Sequence, residues 1–306
     1  VPAPDHTDPI TAGEGYCRAL SCLDAGDDVA ARRAVEEGLA RSWPPQAAAT
    51  RDCLDDLGSQ LDGEAALQRF AGRTPGPRGW LARPDDFARS VLGLGRAHLV
   101  ELVIEEVALM LPPPVLLRLI TALDRAGTPA ARDLLAACGA VLPGEPGRAA
   151  RTAAGILTPQ SAAARALARP ALAGAWWGRT GMGHDQQQVI VALARDGGRV
   201  APLVALVDQP GPDAVLRDAF FLPDMVPGRL QREVLSPLGA AGIPVAPADA
   251  SAALGAACAA LSGALARGRQ IPSEAHQSVI ARMLRLHAAL GRPGGPGASG
   301  NAPLVG

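Results

Sequence analysis

The chain has 306 residues, 48% of them hydrophobic and only 3% aromatic; all 29 basic residues are Arg, set against 30 Asp and Glu. There is no Lys, and the only Asn is Asn301, which excludes a P-loop, a Schiff-base Lys, a kinase-type catalytic Lys and a Lys-dependent nuclease core. A Cys-His-Asn thiol protease would have only that tail Asn to draw on, and a net charge of −1 argues against nucleic acid, whose phosphates require a basic stripe.

The charge is uneven. Residues 1–75 carry 7 Arg against 13 acidic residues, and the rest carry 22 Arg against 17. An acidic segment on a mildly basic body is compatible with a protein partner, although such runs are commonly a solvated face. Residues 1–9 contain neither a basic nor an apolar run, so no signal peptide is expected. The most apolar long stretch, 251–266, is too short and too rich in Ala and Gly to cross a membrane. A cytoplasmic protein without membrane contact is the expectation. The five cysteines, Cys17, Cys22, Cys53, Cys138 and Cys258, include no CxxC pair and are expected to be reduced, small core residues. No cofactor is implied.

Periodicity predicts a helix over 11–25 and a partner over 28–42, turning at Gly26-Asp27. The residues Ala19, Ala31, Val35 and Gly38, followed by Trp43-Pro44-Pro45, resemble a tetratricopeptide repeat. A second copy over 47–72 puts Cys53 where Ala19 was and Ala65 where Ala31 was, with Arg69 departing at the Val35 position. Residues 72–77 read as a linker. From Asp85 helices resume, with Leu99, Val103, Val107 and Met110 on one apolar face. Pro112-Pro113-Pro114 ends that helix and starts the next over 115–125. Thr128 is a predicted N-cap for 130–141. The Leu-x-x-Leu-Ile-x-x-Leu-x-x-x-Gly-Thr-Pro run is similar to a HEAT-type helix pair. Shorter helices are expected over 148–156 and 160–168.

The period then changes to short β-rich runs over 176–180, 188–195, 199–207 and 214–221. A tight turn on Gly197-Gly198 pairs the second and third runs. It places Val189, Val191 and Leu193 on one face with Val204 and Leu206, and Ile190 on the other with Leu203, Ala205 and Val207. Both faces are apolar, so both should be covered. Pro202 implies an edge or a bulge. Helices return over 227–235, 250–266 and 274–290, the last capped by Ser273, before a Gly/Pro-rich tail. Trp177-x-Arg179-Thr180-Gly181, with Val204–Asp208 and Leu216–Phe220, resembles an uncharacterised group of proteins from high-GC bacteria, a likeness that implies layout and not chemistry.

The expected fold is mainly α. Helical hairpins, α-solenoid-like, enclose an embedded three- to four-stranded antiparallel meander. Five parts are expected: hairpins over 1–76, helix pairs over 77–170, the meander over 171–224, C-terminal helices packing on it over 225–292, and a disordered tail over 293–306.

Strand order gathers His184, Asp185, Asp208 and Asp213 at one end of the meander. There they could hold a divalent cation or act in acid–base chemistry, His184 and Asp185 being the catalytic pair. Asp beside Gly and Pro is equally ordinary turn chemistry. His98, Glu101 and Glu105 share a helical face that reads as solvated, and His276 and His287 share a stripe without a third ligand. Trp177 could line a cleft with Arg179 stacked on it. Asp218 lies mid-strand on the Leu216 and Phe220 face, opposite about Leu203, and requires a buried Arg, Arg179 or Arg199 being nearest in sequence. The function expected is a non-catalytic helical-repeat protein that binds another protein; the alternative is a metal-dependent hydrolase using the carboxylate end of the meander.

Overall fold

A computed structural model describes residues 9–40, 48–73, 76–156, 158–179, 186–208, 214–267 and 277–290. Helices α1 (Pro9–Asp24) and α2 (Asp28–Leu39) form a hairpin. Gly26 takes the positive φ its turn needs (74°), and the Asp27 carboxylate caps α2 by accepting from the Ala30 N–H at 2.9 Å. The helices approach closely because Gly15 faces Gly38, where a Cβ on Gly15 would lie 3.3 Å from the Gly38 Cα. Ala19, Ala31 and Ala34 seal the contact.

The next segment is one unbroken helix of 26 residues, α3 (Ala48–Arg73). A second tetratricopeptide-like copy would place a turn near residue 60, and none forms. No proline interrupts the segment, and two of its three glycines serve close packing: a Cβ on Gly58 would meet Val35 at 2.8 Å and one on Gly63 would meet Leu99 at 3.3 Å. Leu54 and Leu61 of α3 join Ala31, Ala34 and Val35 in a small core separate from the main one.

A helical bundle follows: α4 (Pro77–Ala82), α5 (Pro84–Leu92), α6 (Ala97–Met110), α7 (Pro113–Ala126), α8 (Pro129–Val141), α9 (Gly144–Ala154) and α10 (Ala162–Ala168). Proline occupies the first turn of α4, α5, α7 and α8, where its missing N–H has no intrahelical partner to lose. Helix therefore begins before the expected Asp85. Thr128 caps α8 by accepting from the Ala131 N–H at 3.2 Å. Buried Asp133 accepts from the N–H groups of Gln160 and Ser161 at 3.0 and 2.6 Å, which ties the entry of α10 to α8. Leu119, Ile120, Leu123, Leu134, Leu135 and Leu167 lie in the core.

Among the described residues, five antiparallel strands then form one sheet in the order β4-β3-β2-β1-β5: β1 (Leu172–Arg179), β2 (Gln186–Ala194), β3 (Val200–Asp208), β4 (Val215–Phe221) and β5 (Val245–Pro247). The sheet thus has one strand more than expected, because residues after the meander return to pair with β1. The β2–β3 register also differs by one. The loop is Asp196-Gly197-Gly198, closed by the Arg195 N–H donating to the Arg199 carbonyl at 2.8 Å, with both glycines at positive φ (69° and 72°). A three-residue loop slides β3 by one residue and exchanges its faces. Val189, Val191 and Leu193 therefore share a face with Leu203, Ala205 and Val207, and Ile190 pairs with Val204 on the other.

Pro202 is buried inside β3. The expected edge or bulge does not form there, since β3 is an interior strand paired regularly with β2; the Pro202 carbonyl accepts from the Leu222 N–H at 2.8 Å, its nitrogen has no hydrogen to return, and the pairing with β4 ends at Phe221. On β4, a bulge between the Leu206–Asp218 and Val207–Leu216 pairs makes Arg217 the extra residue. Asp218 therefore lies opposite Leu206, not Leu203. It shares the Phe220 face, while Leu216 turns to the other.

One face of the sheet is covered by α11 (Pro227–Leu230), a π turn (Gln231–Leu235) and α12 (Ser236–Ala240). The expected single helix over 227–235 is interrupted because Pro237 cannot donate to the preceding turn. Helices α13 (Ala250–Ala266) and α14 (Gln277–Leu290) cover the other face. The protein is mainly α with an embedded antiparallel meander. Among the described residues, no helix is long and apolar enough to cross a membrane. The predicted Ser273 cap and the tail after residue 290 lie outside the described residues.

Candidate functional site

The face of α6 expected to be solvated is instead the junction of the molecule. Glu101, its side chain 15% exposed, receives the Arg195 guanidinium at 3.0 Å and also contacts Arg282 of α14. Arg195 follows β2 directly, and only 2% of its side chain is exposed. Its Nε lies 3.5 Å from Asp224, and Asp224 lies 3.5 Å from His98 Nδ1. Arg282 also stacks over the Phe221 ring, 4.4 Å from its centroid. Burial, with Arg285 nearby, pulls the Arg282 pKa down to about 9, so it remains charged near neutral pH as a counter-ion to Glu101. Each ion here is partly stripped of water, and only mutual pairing offsets that cost. The cluster binds the helical bundle, the sheet and α14 at one point.

Beside it opens a cleft of about 340 Å³ between α2, α3, the start of α6 and the β2–β3 loop. Arg195 and Asp224 form its inner wall; Arg32, Glu36, Asp62, Arg96 and Arg199 also line it. Arg199 pairs with Asp55 of α3 at 3.2 Å and donates to the Asp224 carbonyl at 2.7 Å. Arg96 donates to the Ser59 carbonyl and hydroxyl at 2.9 and 2.7 Å and reaches Asp62 at 3.3 Å. Arg32 donates to the Leu61 carbonyl at 2.6 Å.

An Asp-His pair next to a serine invites comparison with nucleophilic catalysis, where the serine donates to the imidazole. Ser59 instead receives the Arg96 hydrogen bond, and among the described residues none joins it to His98. The cleft offers charge of both signs on a fixed floor, an arrangement suited to recognition.

Of the residues expected to hold metal, His184, Asp185 and Asp213 lie outside the described residues. Asp208 ends β3, accepts from Gln186 Nε2 at 3.0 Å and faces Arg217 at 3.9 Å. Among the described residues no three His, Cys, Asp or Glu side chains gather as metal ligands. Arg179 ends β1, exposed, on the Trp177 face of the sheet and thus the side opposite Asp218. Arg199 sits at the far end of β3 from Leu206, the partner of Asp218. The register therefore contradicts the predicted meeting of Asp218 with either Arg; the Asp218 carboxylate accepts from the Ala219 N–H at 2.8 Å. Trp177 packs, partly buried, against the layer under α13 and α14 and does not line the cleft. His276 is outside the described residues, and a Cβ on Gly255 would lie 3.2 Å from the His287 ring.

Sequence reasoning missed the places of Arg195, Arg199, Asp224 and Arg282. The one available signal was the charge asymmetry between residues 1–75 and the rest. Comparison with protein-family models, curated proteins and solved structures finds no match.

Proposed function

We propose that this is a non-catalytic helical protein that binds another protein through the cleft beside α2 and α3. The observation that carries this reading is the cleft itself: a concavity of about 340 Å³, its floor held by the Arg195, Glu101 and Asp224 ion pairs, its rim bearing exposed charge. A rigid floor with an accessible polar rim suits specific, charge-complementary contact. The net charge of −1 favours a protein over nucleic acid as the partner. Five free cysteines accord with a reducing, cytoplasmic setting.

Affinity capture from native lysate tests the reading, comparing the parent protein with Glu36→Arg. Glu36 is exposed on the cleft rim, so reversal of its charge should leave the melting temperature unchanged. At least one protein captured in stoichiometric amount by the parent should be lost with the variant. An identical captured set would refute the cleft as the binding site.

A further inference from the structure

Part of the acidic excess of residues 1–75 is met within the chain. Asp52, Asp55, Ser59 and Asp62 are spaced 3, 4 and 3 along α3, one face of a helix. That face meets a row of arginines from the rest of the molecule. Asp52 pairs with Arg232 at 2.8 Å, Asp55 with Arg199 at 3.2 Å, and Ser59 and Asp62 with Arg96 at 2.7 and 3.3 Å. Gly228 on α11 leaves room for the first pair, since a Cβ there would lie 3.0 Å from the Asp52 carboxylate.

The two halves of α3 are held differently. Its C-terminal part packs Leu67 and Phe70 on the main core. Its N-terminal part shares the small separate core with α1 and α2 and meets the arginines through charge. The Asp55 and Asp62 side chains are 48% and 58% exposed, so these two pairs are wet and screened by salt; Asp52, 25% exposed, is the more sheltered of the three. A unit with its own core, tethered to the main core by the continuous α3, is held to the arginines by pairs that can open.

We propose that the Arg232–Arg199–Arg96 row is a docking surface for an acidic helical segment of a partner protein, with α3 as the resident competitor. The inference rests on the reading that the protein acts by binding another protein. The occupant is identified by the present one: the row already receives acidic groups at the period of a helix.

The test uses the full chain and a fluorescein-labelled Glu/Ala peptide of about five helical turns bearing Glu on one face, followed by anisotropy at low salt. Asp52→Asn, Asp55→Asn and Asp62→Asn combined should tighten binding about tenfold, as expected from two wet pairs and one half-buried pair in sum. Adding Arg96→Gln and Arg232→Gln should return the affinity to the parent level or below, and a Gln-for-Glu peptide should not bind. Equal binding by parent and triple variant overturns the proposal, as does equal binding of the Gln peptide. Competition by oligouridylate as strong as by the acidic peptide makes the row a general anion surface and also overturns it. If the peptide fails while Glu36→Arg still loses a captured protein, this inference falls and the binding function stands.

Discussion

Glu101 is the residue on which the junction turns. It is the carboxylate that meets both Arg195 and Arg282, and each of those guanidiniums is almost wholly out of water. Glu101→Gln keeps the shape and removes the charge, leaving two buried cations facing a neutral amide. Breaking a buried pair from one side costs about 3–5 kcal/mol. Urea unfolding of Glu101→Gln should show a loss of that order, and Arg282→Met added to it should restore part of the loss. A loss below about 1 kcal/mol would mean that the cluster is hydrated like a surface pair. His98 and Glu101 were visible in the sequence as neighbours on a helix face. Their pairing was not, because their partners come from the residue after β2, from the segment after β4 and from α14.

Among the elements, local chemistry was legible wherever a terminus is made by adjacent residues. Pro at the first turns and Thr128 before α8 are such cases. Glycines inside helices were legible only as small residues, and their necessity is tertiary. Gly147 in α9 is the clearest, since a Cβ there would collide with the Leu142 carbonyl oxygen. Gly→Ala at an exposed helix position gains about 1 kcal/mol, whereas here overpacking against backbone should cost about 1–3 kcal/mol. Gly72→Ala in α3, with nothing within 4 Å of its added Cβ, is the control and should be neutral or slightly stabilising. Equal effects at the two sites in urea unfolding would refute the close contact. The sheet follows the same division: its alternation announced strands, while its register depended on whether the Gly197-Gly198 loop held two residues or three.

For the whole molecule, stability in alkali is set by groups that titrate differently when folded. Burial pushes Cys138 up to about 12 and Cys258 up to about 11, from an ordinary thiol value of 9.0. The folded chain therefore keeps protons that the unfolded chain releases. That contribution is full below pH 9.0 and is lost as pH rises toward 11–12. Arg282 has the opposite sign: lowered from 12.5 to about 9, it opposes folding below about 9, and the penalty is relieved as pH rises. Comparing parent with Cys138→Ala/Cys258→Ala cancels the Arg282 contribution. From about pH 8 to 10.5, urea-derived stability should fall less steeply in the double variant. Identical slopes would show that the two thiols ionise as readily folded as unfolded.

Sequence alone carried the mainly helical class, the embedded antiparallel strands, most helix starts and the acidic bias of residues 1–75. These follow from period, capping and composition, which act between residues close along the chain. It also held the spacing of Asp52, Asp55 and Asp62, but not what they meet. Packing in three dimensions was needed for the rest: the acidic face of α3 is answered by Arg232, Arg199 and Arg96, Glu101 is buried between two arginines, and Asp218 faces away from Arg179. The reason is physical. A charge has no preferred partner along the sequence, and its worth depends on distance and exposure to water, which exist only once α3, α6, the sheet and α14 have packed together.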